Sequence, residues 1–349
     1  LNVQNTNKIF FLPVKYTGES KRKKLFRVKK YLQEQNVDYI FTQDSESLAW
    51  LLNLRGQDLP NTPVIFCSAI IGKNKNAIFF ESKNIPEKIK SKLKNNFSIH
   101  STDEFNRVIR KFCTKSSKII IDNKKLSVFN YNLLKQVTKN IINKNDILLL
   151  YRSIKNKIEI QSSKKAHLYD GIAMCKFLFW YKNYSGELSE LDVVEKVNKL
   201  RSQNKSFICA SFPTIAGSAE NGAIIHYQPN KLSSRKIKKS DILLLDSGGQ
   251  YYYGTTDVTR TISRGKKVSK EIIFNYTIVL KSHINVNLSK FPSGTPCSFL
   301  DLVARKILWE VGEDFAHSTG HGVGFCLNVH EGPFAISSKN ISPLYLEEL

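Results

Sequence analysis

Short apolar runs alternate with amphipathic stretches over the first 150 residues. In Lys21–Glu34, Leu25, Val28 and Leu32 recur at helical spacing, which predicts a basic amphipathic helix. Ser45–Leu52 predicts a second, shorter helix. The runs Asp38–Thr42, Val64–Ile71, Ala77–Phe80 and Lys118–Asp122 predict strands, with a Gly/Lys/Asn turn between the second and third. This alternation implies an α/β domain over residues 1–154. From residue 155 the period lengthens. One long helix is predicted over Lys157–Tyr184, carrying Ile160, Ala166, Leu168, Ile172, Cys175, Leu178 and Trp180. Further helices are predicted over Leu188–Gln203, Glu271–Leu288 and Asp301–Val311, with strands between Ser206 and Ser263. Residues 155–349 therefore read as a second domain.

Candidate chemistry concentrates in that second domain. The apolar run Ile242–Leu245 drives into Asp246, and eleven residues later Asp257 sits in a Thr-rich strand. The two halves read as an antiparallel hairpin, with Gly254 giving the turn its backbone freedom. Asp246 and Asp257 would then face each other on neighbouring strands. Carboxylates held that close repel, and a divalent cation relieves the repulsion, because hard cations take carboxylate oxygens. A second segment, His317 to Pro333, holds His317, His321 and His330. His317 and His321 are four apart, but Gly320, Gly322 and Gly324 argue against a helix, each costing about 1 kcal/mol in a helix interior. A glycine-rich loop leading to a strand over Phe325–Val329 is the expected form. In a third segment, Ser211 to Pro229, an isolated His226 follows an apolar run that looks like a buried strand.

These three segments, in this order, resemble the catalytic domain of the Xaa-Pro aminopeptidases (aminopeptidase P), metallopeptidases of the pita-bread fold. Ala49–Asp58 is similar to the Trp-Leu-x-Asn-x-Arg-Gly stretch of the domain that precedes the catalytic one in that family. The resemblance implies an α/β creatinase-N-terminal-like domain, then an α+β pita-bread (creatinase/aminopeptidase-like) catalytic domain with helices outside a curved antiparallel sheet. It implies that Asp246, Asp257 and His321 are metal ligands, Asp257 bridging two ions. His226, His317 and His330 match histidines that orient the scissile peptide and stabilise the tetrahedral intermediate. Arg55 is either an ordinary surface arginine or a residue on the substrate side. The implied cofactors are two divalent metal ions, manganese or zinc. The implied reaction is release of the N-terminal residue from peptides with proline in second position, by attack of a metal-bridging hydroxide. Prolidase, methionine aminopeptidase and creatinase chemistry are alternatives on the same fold, as is an inactive relative. A homodimer is the assembly the family implies.

Composition changes this picture little. The 349 residues carry 53 Lys and Arg against 30 Asp and Glu, a formal charge of +23. That charge could attract nucleic acid, but the basic residues are scattered and no aromatic-interleaved basic patch accompanies them. No nucleic-acid partner is expected. The six cysteines are far apart and form no Cys-x-x-Cys pair, which fits a reducing cytoplasm. Cys326, beside the histidines, reads as a small buried hydrophobe rather than a ligand. No apolar run approaches the ~18–20 residues of a membrane helix.

One departure from the family pattern bears on activity. In the family, two glutamate ligands follow the histidine cluster, whereas this sequence ends at Leu346-Glu-Glu-Leu349, and Glu347 and Glu348 do not match them. The expectation is a catalytic domain truncated at its C-terminus, which binds metal weakly, has little activity and leaves an exposed sheet edge.

Overall fold

The structure is a computed structural model that describes residues 9–82, 85–265 and 267–344. Glu347 and Glu348 lie outside the described residues. The chain separates into two compact units. The first runs to Arg152 and takes in Asn156–Glu159, and the second holds Ser153–Lys155 and everything from Ile160 onward.

The first unit is built on a six-stranded mixed sheet. Its strand order is Ser98–Ser101, Asn76–Phe80, Cys67–Gly72, Tyr39–Thr42, Lys118–Ile121 and Asn140–Asn143. The three inner strands from Asn76 to Thr42 pair antiparallel, and the flanking pairs run parallel. Strands 67–72 and 76–80 are buried at every residue, as expected where both faces of a sheet are covered. The helices over Lys21–Glu34 and Ser45–Leu52 have the predicted bounds. Ser20 and Asp44 cap them, accepting from the amides of Lys23 and Glu46. Sequence patterning missed the helices Glu87–Lys94, Phe105–Phe112 and Val128–Val137. Each is too short to show more than two or three apolar repeats against a lysine- and asparagine-rich background. The strand expected from Val64 begins only at Cys67, although Val64 and Ile65 are buried.

The second unit contains most of the Lys157–Asn183 helix, the helices Glu190–Ser202, Lys270–Asn287 and Cys297–Trp309, and three small antiparallel sheets. The strand Ile242–Ser247 is central to the first sheet, between Ile215–Ser218 and Val258–Ser263. Its side chains alternate as its sequence requires. Leu243, Leu245 and Ser247 are buried, while Ile242, Leu244 and Asp246 face the other, more open side. Leu243 and Leu245 pack with Met174 and Phe177 of the long helix and with Val193 and Val197 of the next. The packing of Leu243 and Leu245 therefore fixes which face Asp246 must take, because a one-residue slip would invert every side chain.

Beneath this sheet lies an ion pair with no solvent exposure on either partner. Arg201 donates to both oxygens of Asp170, at 2.7 and 3.0 Å, and Tyr251 Oη donates to Asp170 at 2.8 Å. Burial alone would raise the Asp170 pKa. The hydrogen bonds and charge of Arg201, with Tyr251 and Thr256, outweigh it and hold the carboxyl below its ordinary value. A carboxyl depressed in the folded state stabilises fully above its unfolded pKa, and that contribution is lost as pH falls through the folded value. Arg201→Met should therefore cost about 3–5 kcal/mol at neutral pH, by leaving a buried carboxylate without its partner. In urea unfolding, the loss should shrink as pH drops below 3.8. A cost under about 1 kcal/mol would show that the pair is dispensable.

Candidate active site

The predicted hairpin forms, and it bends between two sheets. Ile242–Ser247 pairs with Val258–Ser263, with Asp246 opposite Thr259. Beyond a break the same register resumes, Gln250 opposite Thr255 and Tyr251 opposite Gly254, and the outer arm joins strand Phe207–Ala210 instead. Asp257 thus falls opposite Gly248, and the two aspartates are diagonal neighbours rather than directly facing. Gly248 is required there: a Cβ on it would lie 1.9 Å from the Thr256 carbonyl oxygen and 2.3 Å from Ser211 Oγ. The Tyr252–Tyr253 turn closes the hairpin, and Gly254 adopts φ +154°, open to glycine.

The diagonal still leaves the two carboxyls close enough for the charge of one to act on the other. Asp246 Oδ1 also accepts from Thr259 Oγ1 at 2.8 Å. Burial, and then the charge of Asp257, pushes the Asp246 pKa up to about 6. His321 Nε2 lies 3.3 Å from Asp257 Oδ2, and its Nδ1 is 2.8 Å from the Gly322 carbonyl, which fixes the ring. Burial would lower the His321 pKa, but Asp257 and the Gly322 carbonyl outweigh it and raise it. The His330 ring stands edge-on to His321, centroids 4.3 Å apart, and His226 is 6.4 Å from His330. Burial first, and the neighbouring His321 second, lower the His330 pKa.

Five of the expected residues therefore converge in the order Asp246, Asp257, His321, His330, His226. His317 is not brought into this row. Its ring packs on Phe315 at 4.8 Å, its Nδ1 faces the Ser318 carbonyl, and its own carbonyl accepts from Arg305. Arg55 belongs to the first unit and is not a surface residue. Its side chain is 1% exposed and donates to the carbonyls of Ala49 and Leu54. Glu331 ion-pairs with Lys155.

Two local expectations need correction. The strand is not Phe325–Val329 but Gly320–Gly322, paired with Glu331–Ile336, so His321 sits on the strand itself. Phe325, Cys326, Leu327 and Val329 form a buried loop instead, closed by Gly324 N–H donating to the Asn328 carbonyl. Apolar sequence alone could not separate these forms, since either one buries the same residues. The loop's backbone is satisfied by buried polar side chains: the Leu327 carbonyl accepts from Gln250 Nε2 at 2.7 Å. Likewise, the run before His226 is not a buried strand. The chain turns through residues 219–223, Ile224 and Ile225 are more than half exposed, and His226 has φ +57°.

Thr259 escaped the sequence reading, although its signal was present. It lies two residues from Asp257 and so shares its face, opposite Asp246 in register.

The donor chemistry suits divalent ions: two neighbouring carboxylates that repel, and an imidazole whose second nitrogen is tied to a carbonyl. Among the described residues, no group of three or more His, Cys, Asp or Glu side chains is spaced as a ready-made cage for one ion. Asp257 instead pairs with His321 Nε2 at 3.3 Å, and Asp246 is held by Thr259. Asp246, Asp257 and His321 fit as donors to metal, but as part of a set.

Residues 161–348 match metallopeptidase family M24, and residues 2–159 match the creatinase/prolidase N-terminal domain. The chain belongs to metallopeptidase family M24. It is 40% identical to Xaa-Pro aminopeptidase 1 of Dictyostelium discoideum over 342 residues, covering 96% of this chain and 54% of that protein. It is 36% identical to the Xaa-Pro aminopeptidase ApepP of Drosophila melanogaster, over 96% of this chain and 55% of the relative. Among solved structures it is similar to the X-prolyl aminopeptidase of Caenorhabditis elegans, described as a cytosolic enzyme with a di-nuclear active site. The TM-score is 0.90 at 31% identity, over 97% of this chain and 56% of that one. The M24 chain thus spans about half the length of these relatives. The Xaa-Pro dipeptidase of Bacillus anthracis shares the fold at TM-score 0.74 and 21% identity. Among the described residues, no helix of the M24 chain is long and apolar enough to cross a membrane.

Thr259→Val removes the hydroxyl that orients Asp246 and keeps the β-branched shape. It should weaken manganese binding about tenfold or more, measured by calorimetric titration, with the fold intact. Unchanged affinity would show that this hydrogen bond does not orient a ligand.

Proposed function

We propose that this chain carries the catalytic unit of a metal-dependent aminopeptidase that releases the N-terminal residue from peptides with proline in second position. The observation that carries the reading is the convergence of Asp246 and His321, each on a strand, with Asp257 from the break in the hairpin's second arm, and with His330 and His226 continuing the row. The names of the relatives that match along nearly the whole chain support it.

In this reading Asp246, Asp257 and His321 hold two divalent ions, with manganese preferred because oxygen donors dominate the set. Bound there, such ions would supply Lewis acidity toward a carbonyl oxygen and a water of lowered pKa. The remaining work belongs to side chains of this chain. His330, its pKa lowered by burial and by His321, is a neutral imidazole at pH 7, able to donate one hydrogen bond without adding charge. His226 is exposed at the far end of the row, where it can meet the substrate and donate to the oxygen that gains charge during attack. The scissile bond before proline is a tertiary amide without an N–H, so recognition must rest on the carbonyl oxygen and the ring. The role expected for His317 would require contact with the peptide beyond this row. A cytoplasmic location is part of the proposal, supported by six free cysteines.

A prolidase-like dipeptidase uses the same fold, and substrate length separates the two readings. With manganese, the protein should release the first residue of an Xaa-Pro-Pro tripeptide, and Asp257→Ala or a chelator should reduce release by a factor of about a thousand or more. Cleavage restricted to Xaa-Pro dipeptides would favour the dipeptidase. Release that Asp257→Ala leaves intact would overturn the assignment of the site.

A further inference from the structure

Glu190 lies outside the row of aspartates and histidines and has no solvent exposure. It opens the Glu190–Ser202 helix, whose N-cap is Ser189. A buried carboxylate is costly unless its oxygens are fully engaged. Here both act as acceptors. Oε1 receives the Ser218 amide at 2.7 Å and the Ser218 hydroxyl at 3.2 Å. Oε2 receives the Arg235 amide at 3.1 Å and lies 2.9 Å from Tyr227 Oη. Asn221 Nδ2 is 3.1 Å from each oxygen. The helix start also accepts and returns backbone contact, the Glu190 amide donating to the Arg235 carbonyl at 3.1 Å.

These partners share one property: all belong to the segment from Ser218 to Arg235. Ser218 ends the strand that leads into it, Arg235 ends it, and Asn221 and Tyr227 lie within it. The segment carries no helix longer than one short 3₁₀ turn, and a connection of that length without regular structure needs an internal anchor. His226 is the neighbour of Tyr227. It is exposed, with a left-handed backbone that a histidine rarely adopts unless its surroundings impose it. Tyr227, by contrast, is 8% exposed and inserted toward Glu190. The tyrosine is thus buried against Glu190 while the histidine before it is exposed, its ring 6.4 Å from that of His330.

We propose that Glu190 is a positioning residue for His226: one buried carboxylate clamps both ends and the middle of the loop and so sets where the imidazole stands. This rests on the aminopeptidase reading only in assigning His226 to the reaction; the clamp itself is independent of it. The helix N-terminus adds favourable potential for the carboxylate but does not by itself select these donors.

The test uses the full-length protein and Glu190→Gln, which keeps the size but turns an amide NH2 toward N–H and O–H groups that now donate to the carboxylate. Hydrogen exchange followed by mass spectrometry should show residues 218–235 exchanging about tenfold faster or more, with 242–263 unchanged. On the tripeptide, the variant should lose about tenfold to a hundredfold in kcat with little change in KM. In a His226→Ala background, Glu190→Gln should add less than about twofold, because the group it positions is gone. An equal loss in both backgrounds, or a loop whose exchange does not change, would overturn the proposal. If the unmutated protein cleaves no Xaa-Pro peptide, the aminopeptidase reading fails, while the exchange measurement still decides whether Glu190 holds the loop.

Discussion

The Asp170–Arg201 pair is the interaction on which the second unit depends. Both charges are wholly removed from water, so each must be met by the other and by hydrogen bonds of good geometry. Arg201 ends one helix and Asp170 lies within the long one. The two hydrogen bonds of the pair tie those helices together. Tyr251 and Thr256 complete the carboxylate's partners, and they sit on the two arms of the hairpin. Thr256 immediately precedes Asp257. The position of a site carboxylate is thus set from below by a buried charge that touches no substrate.

From that anchor the site is assembled by small geometric necessities. Gly248 lets the two arms close where a side chain would collide with the Thr256 carbonyl, and the hairpin leaves one sheet for another at that point. The switch offsets Asp257 diagonally from Asp246 and leaves both carboxyls on the open face. Thr259 takes one oxygen of Asp246 and His321 approaches one of Asp257. Each aspartate therefore keeps a partner while still repelling the other, and burial together with the charge of Asp257 raises the pKa of Asp246. Glu190 repeats the device of Asp170 at the other end of the row, a buried acid whose partners are all on one loop.

Much of this was legible in advance. The uninterrupted apolar run Ile242–Leu245 put Asp246 at the end of a buried strand. The spacing to Asp257 across a Tyr/Gly turn gave the hairpin. The glycines around His321 excluded a helix. The strand around His321 was misplaced, because an apolar run such as Phe325–Val329 reads alike as a strand or a buried loop. Only the polar side chains that satisfy its backbone, Gln250 and Thr255, distinguish the two, and they lie more than seventy residues away. Arg55 read as either a surface or a substrate-side arginine for the same reason, since its acceptors are backbone carbonyls that sequence does not display.

Local pattern by itself determined the helices Lys21–Glu34 and Ser45–Leu52 and those of the second unit, the hairpin and the residue types of the site, because periodicity and turn chemistry act over a few neighbours. Tertiary structure alone decided which of those residues meet. It joined His226, His321 and His330 and left His317 against Phe315. It gave Asp170 and Glu190 their partners. These outcomes turn on satisfying buried charges and backbone groups among residues far apart in the chain, and that requirement leaves no periodic trace in the sequence.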